Sequence, residues 1–411
     1  MKIFVSLFSG IVDPENEYAY PGFYEGMIKK LSKMGNEIKV FISKNWGLEY
    51  PFEEKNRYVL EILKNWKPDL CILFNNTFYD ISNIVECPIV IYGVDAPAFY
   101  SNKNNLKGNL RYKYIVNSEF EIDYVCDCFN VPKKNILYIP YVSYIQPENI
   151  PIQNNICFIG TKMWSTSKIN TYNIFMAQRP SKHQVKKFFE LIKLLIKNPL
   201  EKPEQLFSRI GVNQHELPWS KIGINYLIAE IADMIRCKTL DVVADLGLNI
   251  YGNSTWYEDF HNEPNLILNY TFDPVYSVMH QQYVYNSHKI GLNVNHIQAV
   301  QGFSWRVCDI MASNGCLVTD DRPYLKKYFP RLKLPIFSNP YEAYSVCKKI
   351  IDDDNLRKDI VLKCQEIINQ NFRFKNIQPA IEQFLNVEFS CVRGTWFMKE
   401  RLSTTVSSIL I

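Results

Sequence analysis

The densest candidate chemistry in the chain lies between residues 300 and 320. A polar stretch passes through Gln301 and Gly302 into Phe303, Ser304, Trp305 and Arg306, where a helix is predicted over 304–313. Asn314-Gly315 ends that helix before an apolar run at 316–319. A helix N-terminus that follows a strand offers backbone N–H groups and partial positive charge, which suits a diphosphate. Arg306 falls in the first helical turn and could add a bidentate contact to phosphate. Asp309, one turn further on, could accept hydrogen bonds from ribose hydroxyls.

Elements that place such a loop at a usable edge can be read along the whole chain. Short apolar runs at 2–8, 37–43, 70–74, 89–92, 114–117 and 136–139 alternate with helical segments such as 22–34 and 58–66. That pattern predicts a parallel, doubly wound α/β sheet. Around 140–151 the composition shifts to Pro, Gln and Asn without periodicity, as in a linker. A second alternation has strands at 156–160, 248–252, 266–268, 290–294, 316–319 and 336–337, with helices at 304–313, 341–352 and 355–369. Ligands in such sheets bind beyond the carboxyl ends of the strands.

The expected fold class is therefore α/β, with two tandem Rossmann-like doubly wound domains. The expected domains are 1–149, then 150–385 with a helical insertion at about 165–235, then a tail at 386–411. Within the insertion, 184–197 places Val185, Phe188, Phe189, Ile192, Leu195 and Ile196 toward one face, with Lys186, Lys187, Lys193 and Lys197 elsewhere. Such a basic amphipathic helix serves either as a domain helix with a solvated face or as a contact for an anionic membrane.

The 300–320 segment resembles the donor-binding motif of GT-B glycosyltransferases, in which two acidic positions are separated by seven residues. Gln301 and Asp309 stand at that spacing. The wider run from Tyr285 through Asn286, Ser287, His288, Lys289, Ile290, Gly291, Leu292, Asn293 and Val294 to Ser304-Trp305-Arg306 resembles the CgeB-like (spore-maturation) branch of that group. Cys157 to Thr161, Leu248 to Gly252, Gly93 to Pro97 and Leu137 to Pro140 are similar to further segments of the branch, so the likeness spans about residues 1–385. The resemblance implies a GT-B fold and transfer of a sugar from a nucleotide-sugar donor to a saccharide or lipid-linked acceptor. Surface polysaccharide or glycolipid assembly is the implied setting.

The resemblance also distributes roles. Gly160, Lys162, Lys289, His296, Gln301, Gly302, Phe303, Ser304, Arg306 and Asp309 become donor-binding candidates. The first acidic position of the motif, which touches the donor sugar in the family, is here Gln301, and the second is Asp where the family has Glu. A neutral amide can still exchange hydrogen bonds with sugar hydroxyls. No cofactor or metal is required on this reading, so protein cations must balance the leaving diphosphate: Arg306 first, then Lys162, Lys289 and Lys168. Asp13 and Asp95 follow predicted strands and are the candidate catalytic bases, although both also suit turn capping. The six histidines begin only at His183, which removes the usual base from the first half. The double-acid motif leans toward retention of configuration, a lean that Gln301 weakens.

Bulk properties limit the alternatives. Hydrophobic residues make up 47% of 411 residues, so the chain is globular and large enough for two cores. A net charge of +4 gives no ground for a nucleic-acid partner. The 11 cysteines are scattered, with Cys126 and Cys128 the close pair, and suit free thiols better than disulfides or zinc. The opening segment reads as a strand and no long apolar span follows, which predicts a cytoplasmic protein with at most a peripheral contact to the inner face of a membrane. The Asp352-Asp353-Asp354 triplet is expected to cap a helix rather than to hold a metal. Alternatives from other classes are a GT-B nucleotide-sugar enzyme without transfer, such as an epimerase, and a two-domain small-molecule binding protein.

Overall fold

The computed structural model describes residues 1–8, 22–43, 57–78, 80–162, 171–258, 264–389 and 408–410. The chain divides into two compact units. The first comprises residues 1–144, 276–279 and 367–411, and the second comprises 145–275 and 280–366.

The first unit is built on strands β1 (Lys2–Phe8), β2 (Glu37–Ser43), β3 (Leu70–Phe74), β4 (Ile89–Tyr92), β5 (Tyr112–Val116) and β6 (Ile136–Tyr138). Their order is β2-β1-β3-β4-β5-β6, all parallel. All residues of β3 and β4 are buried, as unbroken apolar runs covered on both faces must be. One face of the sheet carries a core of Phe4, Phe41, Leu63, Leu73, Ile91 and Phe129.

The second unit holds β7 (Asn154–Ile159), β8 (Leu248–Tyr251), β9 (His288–Asn293), β10 (Cys316–Asp320) and β11 (Ile336–Phe337), in the order β11-β10-β9-β7-β8 and again parallel. A last short strand, β12 (Ser408–Leu410), pairs antiparallel with β2. The α/β class with two parallel sheets is thus as expected.

Two local expectations are corrected. Residues 266–268 are not a strand; they end the helix Pro264–Leu268. Pro264 at its first position supplies a preset helical φ, and three apolar residues fit a helix turn as well as a strand. The place beside β8 is taken only by an isolated bridge, Ile250 to Tyr270.

The second correction concerns the insertion helix Lys182–Lys197, which starts at a Ser181–Gln184 capping box. It buries only Phe188, Leu191 and Leu195, while Phe189 is 49% and Ile196 44% exposed. Phe188 stacks on Phe175 at 4.5 Å, and Trp219 lies 5.2 Å from Phe175. These partners line one narrow side of the helix, so the apolar face splits.

Candidate functional site

Because β7 to β10 are parallel, their carboxyl ends emerge along one edge of the second sheet. Backbone meets backbone there. Gly160 N–H donates to the Tyr251 carbonyl at 2.9 Å, and a Cβ on Gly252 would stand 2.2 Å from the Gly160 carbonyl oxygen. Only glycine permits that approach. Trp256 Nε1 donates to the Gly160 carbonyl at 2.8 Å, and Asn253 accepts from the Lys162 N–H at 3.1 Å. Thr255 Oγ1 donates to the Lys162 carbonyl at 2.6 Å. Lys162 itself is 2% exposed, an unusual depth for a lysine and one that marks a tightly built loop.

The next loop follows β9 and ends in the helix Trp305–Ala312. Ser304 occupies the N-cap position but makes no side-chain cap bond; its Oγ donates instead to Asn293 Oδ1 at 3.0 Å. Ser304 N–H donates to Asn295 Oδ1 at 2.8 Å, and Asn295 N–H and Nδ2 both donate to Asp320 Oδ1 at 2.8 Å. Asn293 Nδ2 donates to Thr319 Oγ1 at 2.9 Å. This polar lattice fixes the entry to the helix from β9 and β10 at once. Phe303 turns inward and packs 5.7 Å from Phe329.

Asp309 is buried, at 5% exposure, so it is not a solvated helix position. Arg306 lies one turn earlier, its guanidinium 4.9 Å from the Trp305 ring. Both sit near Tyr285, whose hydroxyl is held far above its usual range by burial, with Arg306 opposing and Asp309 reinforcing the shift.

A second set of cations converges on His296. Burial holds this imidazole down to about 3, and the charges of Arg236 and Arg322 push the same way. His296 Nδ1 accepts from the Gln298 N–H at 3.2 Å, so the neutral ring carries its proton on Nε2. Arg236 comes from the helix Ile224–Val242, is 4% exposed and donates through Nη1 to the Thr161 carbonyl. Asp233 lies 3.7 Å from Nη1, and Nε has no hydrogen-bond partner. Arg322 is braced by Asp320 at 2.8 Å and donates to the Ala299 carbonyl at 3.2 Å. Two buried or braced guanidiniums beside a neutral histidine form a site that an anion would complete.

The first unit has its own polar edge. Asn75, just past β3, donates through Nδ2 to Asp95 Oδ2 at 2.7 Å and accepts from the Val94 and Asp95 N–H groups at 2.8 and 3.1 Å. Glu121, in the first turn of the helix Phe120–Phe129, keeps part of its surface exposed while protein surrounds its carboxyl. Burial raises that carboxyl to about 8, with a further push from Asp95, against hydrogen bonds from the Asn117 and Ser118 N–H groups.

Of the residues nominated from sequence, Gly160, Lys162, His296, Gln301, Gly302, Ser304, Arg306 and Asp309 lie on or just beyond the carboxyl edge of β7 and β9. Phe303 belongs to that loop, but its ring faces the core. Lys289 starts β9 at the opposite edge, about 13 Å along the strand from Asn293, so it does not join the group. Asp95 stands at the edge of the first sheet. Asp13 and Lys168 lie outside the described residues. The acidic triplet does cap a helix: Asp353 accepts from the Leu356 N–H at 2.9 Å, and Asp354 pairs with Arg357 and Lys358.

Arg236, Arg322 and Glu121 were missed. Arg236 is 75 residues from Thr161 in sequence, and nothing in its own helix distinguishes it. Arg322 does follow a strand end and an Asp-Asp pair, a signal that could have found it.

Comparison with known proteins follows the same lines. Residues 236–385 match the glycosyl transferase-like sequence family. No curated protein sequence matches the chain. Sucrose-phosphate synthase from Thermosynechococcus elongatus has a similar structure, with 11% identity, a TM-score of 0.56 and coverage of 94% of this chain and 98% of that one. HepE of Anabaena, solved in complex with UDP and glucose, gives 11% identity and a TM-score of 0.53, covering 94% and 99%. WaaG, a glycosyltransferase involved in lipopolysaccharide biosynthesis, gives 9% and 0.50, covering 93% and 99%. At these identities the structural likeness establishes the GT-B fold. Residues 236–385 are thus similar in sequence to the glycosyl transferase-like family, and the chain has the fold of GT-B proteins.

Proposed function

We propose that the second unit binds the nucleoside diphosphate of a nucleotide-sugar donor and that the protein transfers the sugar to an acceptor hydroxyl. The observation that carries this reading is the anion-ready edge around His296. Arg236, with its unpartnered Nε, and Arg322 both act on a histidine that burial keeps neutral. The uncapped N-terminus of the helix Trp305–Ala312 and Arg306 in its first turn belong to the loop of that same edge.

In this reading the diphosphate is held by Arg306, Arg236, Arg322 and the Lys162 loop. Asp309, fixed beside Tyr285, accepts from the ribose hydroxyls, and Gln301 is left to meet the sugar. As the anomeric bond to the diphosphate breaks, its electron pair moves onto phosphate oxygen, and these guanidiniums stabilise the growing charge. HepE was solved with UDP and glucose, which makes UDP the first nucleotide to try. We assign the chain to the CgeB-like branch from its 285–320 motif, with surface polysaccharide or glycolipid assembly as its setting.

The test is a thermal-shift series with UDP, GDP, CDP, ADP and TDP, each with and without EDTA. A ligand that binds the folded state raises Tm by mass action. A shift from one nucleotide, unchanged by EDTA and lost in Arg306→Ala and Arg236→Ala, supports the donor site. Absence of any shift at saturating concentrations rejects it.

A further inference from the structure

We propose that Cys71 and Cys87 are a redox-reactive pair, which a hydroperoxide joins into a disulfide that fastens the connection between β3 and β4. Cys71 is the second residue of β3, and Cys87 lies two residues before β4. Their sulfurs stand 3.6 Å apart across 16 positions of sequence. Beside them the Cys71 N–H donates to the Pro88 carbonyl at 3.0 Å, so the two backbone segments are hydrogen-bonded neighbours. A disulfide needs a sulfur separation of about 2.05 Å, so closure asks for about 1.5 Å of sulfur travel.

Reactivity is divided between the two thiols. Cys71 is fully buried, whereas Cys87 is half-buried and meets solvent. Arg111 donates through Nη2 to the Val85 carbonyl at 2.6 Å and to the Cys87 carbonyl at 3.2 Å, which holds its guanidinium near the second thiol. The Cys87 thiol is held below its ordinary range, first by the hydrogen bond from Cys71 and then by Arg111, against burial and Asp69. Cys71 moves the other way, through that same bond and its burial. Cys87 is therefore the attacking thiolate and Cys71 the resolving thiol. Cys157, Cys316, Cys347 and Cys364 are buried thiols that burial pushes up, which makes them poor nucleophiles.

The step balances on these two groups and one peroxide. The Cys87 sulfur attacks the terminal oxygen of the hydroperoxide, and the O–O bond breaks. The departing oxygen takes that bond's electron pair and the proton that left Cys87, and goes as water or alcohol. Cys71 then loses its proton as its sulfur attacks the Cys87 sulfenic acid, and the S–O bond breaks with release of water. Two electrons have passed from two thiols to one peroxide.

The place of the pair in the fold gives the bond its effect. Parallel strands are usually joined through a helix. The described residues between β3 and β4 contain none; Phe78, Ile81 and Val85 cover the sheet there from turns and irregular backbone. This connection opens with Asn75 and Asn76, both at positive φ, and Asn75 anchors the Val94 and Asp95 N–H groups. A bond from Cys71 to Cys87 closes the whole connection into one loop and restricts the unfolded chain.

The test treats the full chain with hydrogen peroxide, blocks the remaining thiols by alkylation and maps disulfides by mass spectrometry without reduction. The expected result is a linked peptide pair carrying Cys71 and Cys87, formed ahead of oxidation at any other cysteine and undone by dithiothreitol. Tm of the linked form should rise by several degrees and return on reduction. Cys87→Ser should lose both the link and the Tm response. Cys71→Ser should stop at a sulfenic acid on Cys87, which dimedone captures. Arg111→Gln, which leaves both thiols in place, should slow linkage several-fold and covers the case in which the Cys71 variant does not fold. Both thiols still free after other cysteines have oxidised, an unresolved sulfenic acid on Cys87 in the wild type, or an unchanged or lower Tm of the linked form would overturn the proposal. None of these readouts depends on nucleotide or sugar binding.

Discussion

Ser304 Oγ donates to Asn293 Oδ1 at 3.0 Å, and this bond draws away the hydroxyl that would otherwise cap its own helix. A serine at the N-cap ordinarily satisfies a backbone N–H one turn in. Here the side chain reaches back to β9, and the helix N-terminus is left without a side-chain cap, its positive dipole end turned to the loop.

Asn293→Ala should therefore act twice. It removes the shorter of two amide donors to buried Thr319, leaving Asn295 Nδ2 at 3.3 Å, and frees Ser304 to rotate toward its own helix. Loss of buried hydrogen bonds costs about 1–3 kcal/mol, which chemical denaturation would show. Nucleotide affinity at a temperature where the variant stays folded should fall several-fold. Unchanged affinity in a folded variant would mean that the helix end does not take the phosphates.

Arg236 offers a sharper measurement. Charge-assisted hydrogen bonds to an anion are worth about 1.5–3 kcal/mol, so Arg236→Ala should weaken nucleotide binding about 10- to 100-fold by titration calorimetry. Arg236→Lys should recover little, because an ammonium cannot place Nη1 on Thr161 and Nε on a ligand together. Full recovery by lysine would reduce the residue to a point charge.

How much of this was legible in sequence depends on what each signal encodes. Strands β3 and β4 were plain because a sheet buried on both faces demands unbroken apolar runs. Asp309 and Arg306 could be found by spacing, since one helix fixes their separation. Arg236 could not, because its meeting with Thr161 is made by tertiary packing across 75 positions. Glu121 was hidden for another reason: an acidic residue in a first helical turn looks like a complement to the helix dipole. Its neighbour Asp95 changes that meaning, and β4 and β5 must pair before the two carboxyls meet.

His296 makes a prediction about protons. Its folded value of about 3 lies below the ordinary 6.5, chiefly through burial and then through Arg236 and Arg322. The neutral ring is favoured in the fold, so its contribution to stability is full above pH 6.5 and is lost as pH falls from there toward 3. A diphosphate placed between the two arginines brings negative charge and raises the value. Binding at pH 6 should then take up protons, seen as a buffer-dependent calorimetric enthalpy, and should not at pH 8. His296→Gln should abolish the difference, and identical uptake in this variant would assign the proton elsewhere.

Gly252 tests the backbone contact beneath the site. A methyl group there would stand 2.2 Å from the Gly160 carbonyl oxygen and 2.8 Å from Trp256 Nε1. Neither neighbour is a flexible side-chain tip, so β7 and β8 must separate at their carboxyl ends. Gly252→Ala should cost about 1–3 kcal/mol, as overpacking commonly does, and should weaken nucleotide binding by moving the Lys162 loop. A variant with wild-type Tm and affinity would show that this edge yields freely.

The last prediction concerns the stability contributed by Glu121, apart from any ligand. Its folded value of about 8 lies above the ordinary 4.5, so the fold favours the protonated carboxyl. That stabilisation is present in full below pH 4.5 and declines as pH rises toward 8, where the unfolded chain ionises freely and the folded one does so at a cost. Partial exposure of the residue softens the effect, so the direction is the test. Tm of the wild type should fall between pH 5 and pH 9 by more than Tm of Glu121→Gln, whose amide cannot ionise. The two curves should approach each other at the acid end and diverge at the alkaline end. Parallel curves would mean that Glu121 is an ordinary surface carboxylate and that its burial does not hold it protonated.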